Sequence, residues 1–280
     1  MPKLSAPNQG RAQALLGSSI LFLILPFPFV FMRLWARWMK KTRLAINDYL
    51  VLLALLFTSG YNAAMIVASV RGGYGQHIWT LSVDEIMTNM KLSVTATFLW
   101  PTANSLIKLS VLHFYKTVFD FQGRLIVFSV YAVGTLTLLY WSSTVITALA
   151  ICRPFAFNWD KITITGTCGD LKAYYLSTGV CNLIIDVMIV GLPLPVLSSL
   201  QMPRHKKASV IAIFSLGGII CILSIVRVVA IAKLEFEDVM YNIVLCNIMT
   251  ALEPTLGVIN ACLPLLQPVV TRLGNSKVFP

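Results

Sequence analysis

Residues Cys181–Lys207 read CNLIIDVMIVGLPLPVLSSLQMPRHKK, a long apolar run that holds one acid, Asp186, breaks at Pro193 and Pro195 and stops on Arg204, His205, Lys206 and Lys207. Between Ala173 and Met202, Asp186 is the only side chain with an ordinary charge at neutral pH. A helix needs about 20 apolar residues, each rising about 1.5 Å, to cross hydrocarbon. The stretch therefore predicts a membrane span over about 173–202. Each proline removes a backbone donor, which hydrocarbon tolerates only where neighbouring helices or water satisfy the freed carbonyl, so the span should be kinked inside a bundle. The basic stop marks a cytoplasmic end. An acid facing lipid at mid-span costs several kcal/mol, so Asp186 should face the bundle interior or stay protonated.

The whole chain has the same character. Its mean hydropathy is +0.79, with 57% hydrophobic and 12% charged residues, far below the roughly 25% charged of soluble domains. This predicts an all-α, polytopic membrane protein built as one domain over residues 1–280. Six further apolar runs give seven spans, at about 12–32, 49–70, 92–115, 125–151, 173–202, 208–232 and 239–270. MPKLSAPNQG is polar, and the run after Arg11 is too long for a signal-peptide core, so span one is expected to act as a retained signal anchor. Pro26 and Pro28 suggest a kinked inner end to that span, and Asn47 and Asp48 are good N-caps for span two.

The net charge of +11 is distributed in short clusters between apolar runs, the pattern of membrane orientation and anionic-lipid contact; no nucleic-acid partner is expected. Arg33, Arg37, Lys40, Lys41 and Arg43 follow span one, Lys116 and Arg124 flank the loop after span three, and Arg204, Lys206 and Lys207 follow span five. The other loops hold fewer basic residues, partly balanced by acids, which predicts the N-terminus outside and the C-terminus in the cytoplasm. The membrane is expected to be the plasma membrane or the endoplasmic reticulum. No inverted repeat of the transporter kind stands out.

With the segments placed, the chain resembles the fungal integral membrane proteins of the rhodopsin-domain family, which include receptor-like pathogenicity proteins and members encoded in mycotoxin clusters such as that of satratoxin. The pieces that carry the resemblance are GYGQHIW (73–79), IKLSVLHFYKTVF (107–119), CRPFAFNWD (152–160) with GTC (166–168), IDVMIVGLPLPVLSSLQMPRHKK (185–207), SLGGIICILSIVRVV (215–229) and EPTLGVINACLPLLQP (253–268). It implies a seven-helix, receptor-like protein and does not imply light sensing. A retinal Schiff base needs a lysine in the last helix, and none lies between Val239 and Val270, so no retinal and no other cofactor is expected. Asn47–Asp48 stands where related sequences tend to carry paired aspartates. The loop between spans five and six is short, so G-protein coupling is not expected.

Asp186 and Glu253 lie at similar depths in spans five and seven and could share a proton across a cavity, or form a structural network that fixes helix register. With Asn182, Arg227 and Asn104 they form the expected ligand-contacting set. Arg227 has Glu253, or Glu235, Glu237 and Asp238, as partners, with snorkelling to the interface the simpler account; Lys108 has Asp48 or the headgroups. Cys152 and Cys168 share a loop and are expected to pair as a disulfide in an oxidising compartment; zinc is the alternative, although the loop supplies no histidine. Trp79, Trp159, Tyr74 and Phe155 read as interface anchors. G-x-S-x-G, H-E-x-x-H and P-loop motifs are absent, and His77, His113 and His205 are too dispersed to predict a metal site.

Two functions fit these residues. One is a receptor-like protein that senses a small apolar molecule, tied to fungal secondary metabolism. The other is a membrane-embedded cyclase or isomerase of a secondary-metabolite pathway, with Asp186 and Glu253 as acid and base.

Overall fold

A computed structural model describes residues 9–74, 81–119, 124–161, 163–194, 204–233 and 239–275. Helices Gln9–Ile24 (α1) and Pro26–Met39 (α2) make the first crossing. They meet at Leu25, as expected from Pro26, whose missing N–H suits the start of a helix better than its interior. Span one therefore continues past Met32, and Arg33 and Arg37 lie on α2 instead of in a loop. Helix α3 spans Ile46–Arg71. Its N-cap is Ala45, and Asp48 acts from the third helical position, where its Oδ2 accepts from the Ala45 N–H at 2.9 Å. Asn47 is buried and its carbonyl accepts from Ser110 Oγ at 2.9 Å.

Helices α4 (Val83–Phe119), α5 (Arg124–Ala150), α6 (Leu171–Gly191), α7 (Arg204–Ala232) and α8 (Val239–Asn275) complete the bundle. Among the described residues, six helical stretches are long and apolar enough to cross a membrane. The seventh, α4, is long enough at 37 residues, about 55 Å, but more polar. It packs on α3, α5, α6 and α8, so Asn89, Asn104, Ser105, Lys108 and Ser110 are buried against protein instead of facing lipid. Pro101 sits within α4. Gly257 on α8 lets α4 approach: a Cβ there would come within 3.1 Å of Ile107 Cδ1 and Cγ2.

Polarity runs opposite to that of a soluble bundle. Phe31, Leu125, Phe128, Leu139, Ile146 and Ile222 are exposed, while Arg33, Asp48, Asn62, Lys108, Asn182 and Glu253 are buried. This is the arrangement that hydrocarbon selects, because apolar side chains face lipid at no cost and ionisable groups must find partners inside.

Span five breaks at the first of its two prolines. The regular helix α6 ends at Gly191 and the chain turns at Leu192–Pro193, because Pro193 has no N–H to continue the ladder. Pro195 and residues 195–203 lie outside the described residues, as do Trp79, His77, Glu235, Glu237 and Asp238. Between α5 and α6, Cys152–Arg153 (β1) pairs antiparallel with Thr167–Cys168 (β2), and Cys152 and Cys168 form the expected disulfide. No metal-ligating cluster exists among the described residues.

Candidate functional site

The centre of the bundle holds four charges from four helices. Lys108 of α4 lies 3.3 Å from Asp186 Oδ1 of α6, and its ammonium also donates to Asn182 Oδ1 at 2.6 Å and to the Asn182 carbonyl at 3.1 Å. Arg227 Nη1 of α7 lies 3.0 Å from Glu253 Oε2 of α8. The Asn182 amide joins the two pairs, with Nδ2 2.9 Å from Asp186 Oδ2 and 2.7 Å from Glu253 Oε1. Ser224 Oγ donates to Asp186 Oδ2 at 3.4 Å.

The arrangement brings Asp186 and Glu253 together, but through Asn182 and with a cation for each. Each carboxylate faces one cation, Asp186 the Lys108 ammonium and Glu253 the Arg227 guanidinium. Arg227 does not snorkel. It is 3% exposed, and its guanidinium carbon stacks 4.0 Å from the Trp100 ring centroid. Lys108 takes neither Asp48 nor the headgroups, because Asp48 is already occupied: Arg33 Nη2 lies 2.8 Å from its Oδ1 and Arg37 Nε 3.0 Å from its Oδ2. Arg33 Nη1 also donates to the Ala261 carbonyl at 2.5 Å, tying α2 to α8.

Two cavities flank the network. A small one, about 50 Å³, is lined by Asn104, Lys108, Asp186, Glu253, Gly257 and Asn260. A larger one, about 450 Å³, lies towards the disulfide-bearing end among α3 to α8. Its walls include Tyr61, Met65, Tyr74, Trp100, Tyr174 and Ile243, with Arg227 also in the lining. Of the five residues expected to contact a ligand, Arg227 alone lines the larger cavity; Asn104, Asp186 and Glu253 line the smaller, and Asn182 bridges the charges.

Sequence reasoning missed the aromatic and polar wall of the larger cavity. Tyr74, expected at the interface, is buried, with its hydroxyl 2.7 Å from Ser93 Oγ. Tyr174 donates to the Thr144 carbonyl at 3.2 Å. The available signal was the run of Asn89, Ser93, Thr97 and Trp100 at helical spacing on α4. Phe155 and Trp159 pack edge to face, 5.3 Å apart, in the loop between the strands.

A seven-helix membrane protein with a charge-neutral ionic network and a ligand-sized cavity above it is the class that this fold and site define. The chain belongs to the fungal rhodopsin domain family, whose domain matches residues 32–272. It is 29% identical over 215 residues to Receptor GIN3 of Arthrobotrys oligospora, covering 76% of this chain and 51% of that protein. It is 25% identical over 175 residues to Satratoxin biosynthesis SC1 cluster protein 4 of Stachybotrys chartarum, covering 61% and 62%. It is also 25% identical over 283 residues to Phomoidride biosynthesis cluster protein H of a fungal species, covering 90% and 86%. The chain thus spans about half the length of the first of these relatives and under two thirds of the second. No solved structure matches it.

Proposed function

We propose that this protein is a seven-helix sensor of a small, largely apolar molecule, oriented with its N-terminal end outside and its C-terminal end in the cytoplasm of the plasma membrane or endoplasmic reticulum, and acting without retinal. The observation that carries this reading is the double position of Arg227, which lines the 450 Å³ cavity and pairs with Glu253 in the ionic network. Pockets for small ligands run from about 300 to 1,000 Å³. A ligand that disturbs the Arg227–Glu253 contact acts through Asn182 on the Lys108–Asp186 pair, and so biases the packing of α4, α6, α7 and α8 together.

The relatives named for biosynthetic clusters favour a second reading, a membrane-embedded cyclase or isomerase. Against it, Asp186 and Glu253 are ion-paired and open on a cavity of only about 50 Å³, too small for a polyketide or polyene substrate. The test is a thermal-shift screen of the purified protein in detergent with a panel of fungal polyketides and polyenes. Sensing predicts compounds that raise the unfolding temperature of the wild type but not of a cavity-filled Thr97→Trp variant, with no compound consumed. Turnover of a panel compound by microsomes, lost in Glu253→Gln, would replace the sensor by the enzyme.

A further inference from the structure

Counted along the whole sequence, the net charge of +11 is unevenly placed. Successive crossings put alternate connections at one end of a bundle. The α2–α3, α4–α5 and α6–α7 connections with the C-terminal stretch, residues 33–48, 116–124, 192–207 and 271–280, hold 12 Lys and Arg against two acids, Asp48 and Asp120. The N-terminal stretch with the α3–α4, α5–α6 and α7–α8 connections, residues 1–11, 71–91, 151–172 and 233–238, holds 8 against 7. The remaining charges are the four of the central network, which is neutral. Nearly all of the net charge thus belongs to one end, and a surface of that potential concentrates anions.

The α2–α3 turn shows how the charge is presented. Asp48, 1% exposed, is taken by Arg33 and Arg37. Lys40, Lys41 and Arg43 are exposed, and no ion pair ties them to another of the described residues. Trp38 in the last turn of α2 and Ile46 and Tyr49 in the first turn of α3 are exposed as well, so apolar and aromatic side chains flank three cations within four residues. This is the profile of a chain turning at the membrane interface, with rings at the acyl boundary and cations among the headgroups.

Lys41 has a φ of +50°. It closes α2 in a Schellman motif, the Lys41 N–H donating to the Trp38 carbonyl at 3.0 Å and the Thr42 N–H to the Arg37 carbonyl at 3.2 Å. Glycine is the easiest residue at such a position, and one with a Cβ is strained there. A lysine in that place keeps a charge on the turn at the expense of local stability, the mark of a functional position.

We propose that the α2–α3 turn binds an anionic phospholipid whose headgroup carries a phosphate monoester, with Lys40, Lys41 and Arg43 on the phosphate and Trp38 and Tyr49 at the acyl boundary. In the orientation proposed above, this lipid belongs to the cytoplasmic leaflet. A phosphate monoester carries about −1.5 to −2 charges near neutral pH, a closer match to three cations than the single net charge of phosphatidylserine. Arg43 adds a planar fork that takes two phosphate oxygens at once. The proposal is independent of what the larger cavity binds.

The test uses the full chain in phosphatidylcholine nanodiscs, which present both leaflets, so that its outcome does not depend on the orientation. A minor fraction of phosphatidic acid, phosphatidylinositol phosphate or phosphatidylserine is added, and the lipid held by the protein is measured by native mass spectrometry. The two phosphomonoester lipids are expected to be held at least about tenfold more tightly than phosphatidylserine. That preference should vanish in Lys40→Gln with Lys41→Gln and Arg43→Gln, and survive in Arg204→Gln with Lys206→Gln and Lys207→Gln, which removes the same charge from another connection. Lys41→Gly should weaken the preference yet unfold no earlier than the wild type in nanodiscs of phosphatidylcholine alone, a split that a merely structural lysine would not give. Phosphatidylserine held as tightly as the phosphomonoester lipids would overturn the headgroup assignment. Equal loss in the two triple variants would transfer the effect from the turn to the general field of that end, and overturn the site. Displacement of the lipid by an equal concentration of glycerol 3-phosphate or inositol phosphate would reassign the turn to a soluble phosphate and overturn the lipid.

Discussion

Lys108 and Asp186 show what one residue contributes to this molecule. Lys108 is 4% exposed, and its ammonium is held by Asp186 and Asn182. Removing one partner of a buried pair leaves an uncompensated charge and typically costs about 3–5 kcal/mol, whereas replacing both by apolar groups is often close to neutral. Asp186→Asn is therefore expected to lower the thermal unfolding midpoint in detergent strongly, and Lys108→Met with Asp186→Leu to restore most of it. An Asp186→Asn protein that unfolds with the wild type would remove the ion pair from the account. Asp186, Glu253 and Arg227 were legible in the sequence because a charge inside an apolar run demands a partner. Which charge meets which was not, since the partners come from different helices: Asp48 is taken by Arg33 and Arg37 of α2, and Lys108 pairs with Asp186 of α6.

The ends of the helices follow local chemistry. At the start of α4, Glu85 Oε2 accepts from the Ser82 N–H and from Ser82 Oγ, both at 2.8 Å, while the Glu85 N–H donates to Ser82 Oγ at 3.4 Å. This is a capping box written in the sequence as Ser82-Val-Asp-Glu85. The backbone hydrogen bond from Ser82, followed by its hydroxyl, holds the Glu85 carboxyl below its ordinary range. A depressed folded-state value stabilises above the unfolded pKa and is lost as pH falls through the folded one. At neutral pH, Glu85→Gln should speed hydrogen exchange of the first α4 amides relative to wild type. The difference should shrink as the pH drops below the usual carboxylate value of about 4. A difference that grows on acidification would contradict the box. Pro193 likewise ends α6 where its sequence says it must, but seven helical lengths alone do not say that α4 sits among the others and buries Lys108.

At the scale of the whole molecule, an apolar belt surrounds a polar interior whose core falls into separate clusters: Leu15 and Phe22 of α1 share one with Tyr74, and Cys262 of α8 shares another with Val30 and Val51. Short epitopes at each end of the chain, probed by protease in sealed membrane vesicles, should be cleaved from opposite sides, with the C-terminal epitope on the cytoplasmic face. Cleavage of both from one side would refute the orientation. The sequence by itself determined the solvent, the crossings and the ionisable groups that must be sheltered, because burial in hydrocarbon is a property of composition over about 20 residues. Only the tertiary structure decided the pairing of Arg227 with Glu253 and of Lys108 with Asp186, the bridge through Asn182, and the larger cavity above them. Those depend on how helices distant in sequence rotate and pack, and no local pattern records that.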